Sequence, residues 1–195
     1  MKSALILFST TFLAVTGVSA DEWNISTYQG LYSQTNLGQI LLQGKTHYQP
    51  GYISAATVGK PTDYGIFGLK LETEGQVVRH TGRDKHMEFN GLVMARTEEL
   101  FNLPITFAMA EGLSLATRNP DLENPRKSIG NPGTESEYSR NLLNYLAFEV
   151  EVGVPLDAYK PRAFVRVHHR SGIYGILCPP TCGSNYLGYG MRFSY

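Results

Sequence analysis

The segment Val165-Arg166-Val167-His168-His169-Arg170-Ser171-Gly172 sets a histidine two residues from a serine. Serine is a weak nucleophile near neutral pH unless a neighbouring base takes its proton. On an extended chain, residues two apart share a face with their Cα atoms about 6–7 Å apart, within reach of an imidazole. Strand parity puts Ala163, Val165, Val167, His169 and Ser171 on one face. Arg162, Arg166, His168 and Arg170 fall on the other, so His168, although adjacent to His169, sits with the arginines.

A base of this kind needs a third group to hold its second ring nitrogen. The candidates are Asn185 on the following strand and Glu111 two strands earlier. Strands lie about 4.8 Å apart, which favours Asn185 over a Glu111 about 10 Å away. Only Glu111 carries a charge that could stabilise an imidazolium. The choice stays open at this point, and no metal or organic cofactor is implied.

These residues must be carried by strands. Between turn-like clusters the polarity alternates instead of recurring every three to four residues, most clearly along Ile105–Leu115 and again from Leu187 to Tyr195. Strands are expected near 23–35, 47–59, 64–80, 86–96, 104–117, 141–153, 161–175 and 184–195. The chain is therefore read as all-β, an eight-stranded antiparallel outer-membrane β-barrel. Its apolar face would meet lipid, its polar or small face would fill the lumen, and the last strand would end on an aromatic residue. An even count brings both termini to the periplasmic side. Short turns at 60–63, 97–103 and 154–160 would then be periplasmic, and the longer connections at 36–46 and 118–140 extracellular.

The composition agrees with this reading. Met1-Lys2, an apolar stretch from Ala4 to Val15 and Val18-Ser19-Ala20 have the pattern of a secretory signal peptide over residues 1–20. Residues 21–195 then form a single domain. Seventeen basic and seventeen acidic residues give no net charge, which argues against a nucleic-acid partner. Cys178 and Cys182, in an exported chain, are expected to form a small-loop disulfide.

On the expected lipid face, His169 and Ser171 interrupt an apolar stripe, as do Asn144, Asn185 and Glu111 on neighbouring strands. All lie towards the extracellular ends of their strands, at the level of the outer leaflet, where lipopolysaccharide sits.

His169-Arg170-Ser171 on the penultimate strand, followed by Gly183-Ser184-Asn185 opening the last, resembles the lipid A 3-O-deacylase (PagL) family and a wider set of acyloxyacyl hydrolase-like barrels. The likeness covers about the last 30 residues. It implies an outer-membrane esterase that cleaves an ester-linked acyl chain of lipid A, with Ser171 as nucleophile and His169 as base. Lipid A, or the whole lipopolysaccharide, would be the partner. The family has an asparagine where this chain has Gly172, and a last-strand glutamate whose nearest match is Asn185. Two other readings remain: a non-catalytic structural or adhesive barrel acting through its 118–140 loop, and a lipocalin-like carrier with the apolar face inside.

Overall fold

The computed structural model describes residues 23–123, 139–156, 159–173, 175–178 and 182–195. The signal peptide expected at 1–20 lies outside them, as do residues 124–138 of the long connection. The strands are β1 (Asn24–Ser33), β2 (Tyr48–Ile66), β3 (Leu69–Gly82), β4 (Met87–Arg96), β5 (Ile105–Ala116), β6 (Leu142–Gly153), β7 (Arg162–Ser171) and β8 (Gly183–Ser194). Each pairs antiparallel with its sequence neighbours, and β8 pairs with β1, closing an eight-stranded barrel.

The alternation holds in space, inverted relative to a soluble protein. Ile25, Val58, Val77, Phe89, Val93, Phe107, Met109, Val150 and Val165 stand exposed on the outer wall. Glu72, Glu74, Glu149, Glu151, Arg96, Arg166 and Arg192 are buried in the lumen. Such charges tolerate burial only when paired. Arg166 reaches Glu74 (Nη1–Oε1, 2.7 Å) and Glu149 (Nε–Oε2, 2.6 Å), while Arg96 binds Glu72 at 3.1 Å and Glu149 at 2.9 Å. Arg192 closes the network onto Glu72 (2.8 Å) and Glu151 (3.2 Å). An eight-stranded barrel has an interior that side chains can fill. Here Tyr28, Tyr145, Arg166 and Arg170 are among the largest fully buried residues. A polar lumen inside an apolar wall removes the lipocalin-like alternative, which needs the opposite arrangement.

Two features differ from the sequence expectation. Lys60-Pro61-Thr62-Asp63 is not a turn. β2 runs on to Ile66 through a register shift between Pro61 and Gly65, a bulge that tolerates the proline, and the chain reverses at Phe67-Gly68. Both of those residues have positive φ (52° and 78°), as the twist of a two-residue hairpin requires. The 36–46 connection, read as a loop, contains helix α1 (Leu37–Gln43). Asn36 caps its start by accepting from Gln39 N–H at 2.9 Å, and Gly44 ends it in a left-handed conformation.

Trp23, Tyr159 and Tyr195 are exposed together at the barrel end where β1 begins and β8 finishes. The Tyr159 and Tyr195 ring centroids are 4.9 Å apart, forming part of an interfacial aromatic girdle.

Candidate functional site

β7 ends shorter than its sequence pattern, at Ser171, because the chain turns at Gly172-Ile173. Ile173 has φ 49°, and Leu177 N–H returns to Gly172 O at 2.9 Å. A Cβ at Gly172 would lie 2.7 Å from Cys178 O and 2.8 Å from Cys178 Cβ, so this turn excludes any larger residue. The Cys178 and Cys182 sulfurs are bonded to each other, and both residues pack on Leu143 at the barrel mouth. Cys178 therefore packs against Gly172, the residue that follows the serine.

Parity along β7 is as the sequence requires. Arg166, His168 and Arg170 are buried in the lumen, while Val165, His169 and Ser171 alternate with them on the outer face. The strand register arranges Glu111, Leu146, His169 and Asn185 in one row across β5 to β8. Asn144 and Ser171 pair in the next row towards the extracellular rim. Leu146 thus separates Glu111 from His169 by two strand spacings, about 10 Å. Glu111 stays exposed, and no hydrogen bond joins it to His169 among the described residues.

Asn185 is His169's neighbour in contact. Its Oδ1 lies 2.7 Å from His169 Nδ1, and its Nδ2 donates to Thr35 O at 2.8 Å. A backbone carbonyl can only accept, so the Thr35 bond fixes which end of the amide faces the ring. Oδ1 in turn can only accept, so the proton of a neutral His169 sits on Nδ1 and Nε2 keeps its lone pair. This is the tautomer a general base needs.

Ser171 Oγ accepts from Ile173 N–H at 3.2 Å, and no hydrogen bond joins it to His169 among the described residues. A change of rotamer is required to bring the hydroxyl to Nε2, as apo sites often require.

The surroundings are apolar. Chain leaving β1 crosses the outer face of β8 at Thr35, so Asn185, although on the outward face, is only 8% exposed. Asn144, expected to be open to lipid, is likewise covered, at 6%. Leu41 of α1 lines a groove with Val167, Val165, Phe148, Met109 and Phe107 on the barrel wall. That groove begins two residues below His169. α1 therefore belongs to the surroundings of the site, a role the sequence reading of 36–46 as a loop did not find. The cap residues Asn36 and Gly44 around Leu37–Gln43 were the available signal.

No protein-family model and no curated protein sequence matches the chain. Among solved structures, the outer membrane enzyme PagL aligns with a TM-score of 0.51 at 11% sequence identity, over 87% of this chain and 98% of PagL. Neisserial surface protein A (NspA) aligns with a TM-score of 0.49 at 11% identity, over 89% of this chain and 97% of NspA. The fold is that of an outer-membrane β-barrel. The apolar wall, the ion-paired lumen and the terminal aromatic cluster place the chain in the outer membrane by the physics of its surfaces. At this identity the alignment speaks to architecture, and the chemistry of the site has to be argued from its own residues.

Proposed function

We propose that this barrel is an outer-membrane esterase that hydrolyses an ester-linked acyl chain of lipid A in the outer leaflet. The observation that carries the reading is the bond between His169 Nδ1 and Asn185 Oδ1, on the lipid-facing wall and two residues from Ser171. It leaves an unprotonated Nε2 on the strand face that Ser171 shares. In this scheme Ser171 Oγ attacks the ester carbonyl while Nε2 takes its proton. The imidazolium returns that proton to the leaving alkoxide, and water then releases the fatty acid by the same route.

The groove of Leu41, Phe148, Val167 and Met109 supports an acyl substrate, since it offers hydrocarbon walls starting at Val167, two residues along β7 from His169 and four from Ser171. Asn185 orients the imidazole without supplying a negative charge, so the reading calls for a slower enzyme than a carboxylate-assisted one. Purified lipopolysaccharide incubated with the folded protein is expected to release a 3-hydroxy fatty acid, and Ser171→Ala is expected to stop that release. Equal release by folded Ser171→Ala protein removes Ser171 as the nucleophile and overturns the assignment, whereas no release by the folded wild type leaves a non-catalytic structural or adhesive barrel.

A further inference from the structure

A second cluster lies inside the barrel, apart from the lipid-facing residues and independent of the esterase reading. His80 at the upper end of β3, His86 in the short β3–β4 connection and Glu88 on β4 are all buried. Their candidate ligand atoms lie within 4.8 Å of one another. His80 Nε2 is 2.7 Å from Glu88 Oε2, and the two imidazoles lie 3.9 Å apart between centroids.

His86 gives the second, independent observation. Its side chain is fully buried, its Nδ1 lies 3.3 Å from Asp84 Oδ1, and its Nε2 has no hydrogen-bond partner among the described residues. A carboxylate holding Nδ1–H leaves a bare lone pair on the buried Nε2, without an acceptor's usual donor. A buried nitrogen left unpaired is costly unless something binds it. His80 is arranged in parallel: Tyr186 Oη, 3.2 Å from its Nδ1, can accept the Nδ1 proton when Nε2 is a ligand. An outer partner on each imidazole is the usual support of histidine ligands.

We propose that His80, His86 and Glu88 bind a divalent transition metal of the zinc class in the extracellular end of the lumen. Two imidazoles and one carboxylate suit Zn²⁺ and its neighbours, whereas Ca²⁺ and Mg²⁺ take oxygen ligands. Ligand atoms around a tetrahedral Zn²⁺ stand about 3.3 Å apart, so the stacked imidazoles of His80 and His86 have to swing out of their parallel arrangement to turn both lone pairs onto one ion, with a fourth position left for water. Arg118, half exposed, bonds the Asp84 carboxylate at 3.1 Å from the solvent side of that residue. The ion would tie β3 to β4 and stabilise the folded barrel by its binding free energy.

The test uses tag-free protein folded in detergent, incubated with zinc sulfate and freed of unbound ion by gel filtration. About one zinc per chain is expected to remain, and cobalt in its place is expected to give the visible bands of a four-coordinate ion. Asp84→Asn is expected to weaken zinc binding about 10- to 100-fold. His86→Gln, with folding checked by heat modifiability on gels, is expected to lose the bound zinc, while His169→Ala keeps it. No retained zinc in the wild type, or undiminished zinc in folded His86→Gln, overturns the proposal. Should His86→Gln not fold, undiminished affinity in Asp84→Asn or the lack of four-coordinate cobalt bands in the wild type does the same.

Discussion

His169 and Asn185 face each other across the β7–β8 ladder with Nδ1 and Oδ1 2.7 Å apart, and the same amide donates to Thr35 O at 2.8 Å. The ring tautomer on the outer wall is thereby tied, through one side chain, to the backbone of the β1–β2 connection. A segment remote in sequence sets which imidazole nitrogen can act as a base.

Removing that tie has a defined consequence. Asn185→Ala is expected to lower kcat for ester hydrolysis by about 10²-fold or more, since a ring free to rotate and change tautomer is seldom placed for proton transfer. KM should change little, because Asn185 does not touch the acyl groove. Steady-state kinetics on a soluble ester in detergent would measure both, and an unchanged kcat would mean that Asn185 does not position the base.

The mouth of the barrel should respond to pH through Glu123. This residue of the short 3-10 turn at Asp121–Glu123 is buried against Arg170 of β7, with Ser139 Oγ donating to it at 2.7 Å. Burial pushes its carboxyl up to about 7, outweighing the pull of the Arg170 guanidinium and the Ser139 bond, with the charge of Glu88 adding to the rise. The folded state thus holds this proton more tightly than the unfolded chain does. The stabilisation is fully present below the ordinary carboxyl range, near 4.5, and is lost as pH rises through about 7. Its size is on the order of 3 kcal/mol. Urea unfolding at about pH 5 and about pH 8 should show the wild type weaker at the higher pH, with Glu123→Gln flattening the difference. An equal slope in Glu123→Gln would assign the pH dependence to another group.

Neighbours on β7 should fail in opposite ways. Val165 is half exposed on the lipid wall, so Val165→Arg is expected to cost about 2–4 kcal/mol by placing a charge in hydrocarbon. Arg166 is 1% exposed in the lumen, so Arg166→Met is expected to cost about 3–5 kcal/mol by stranding Glu74 and Glu149. Unfolding in lipid vesicles measures both. A soluble, apolar-cored barrel would tolerate Val165→Arg, so a negligible cost there would contradict the membrane assignment.

Period-two alternation was enough to reveal the barrel, because side chains on a strand must point to opposite faces and the two faces here meet different solvents. It placed His169 and Ser171 outward and Arg166, His168 and Arg170 inward without any knowledge of pairing. It could not locate the β2–β3 reversal. Pro61 and Asp63 carry stronger turn preferences than Phe67-Gly68, and the pairing of Pro61 with Glu72, Gly65 with Lys70 and Ile66 with Leu69 keeps the strand running through the bulge.

Contacts between distant segments lay beyond the sequence. Asn185 and Glu111 were both eligible partners for His169 until the register set Leu146 between His169 and Glu111, and Thr35 turned the Asn185 amide. Gly172, in the place where the resembling family has asparagine, was explained only by Cys178 packing against its Cα. His80, His86 and Glu88 carried no motif in the sequence, and the tight β3–β4 reversal makes them one cluster facing the lumen. Alternation is a property of each strand alone, so sequence determined which face the residues of each recognised strand take. Which residues touch depends on register, closure and the path of the connections, and those are settled only when all eight strands pair at once.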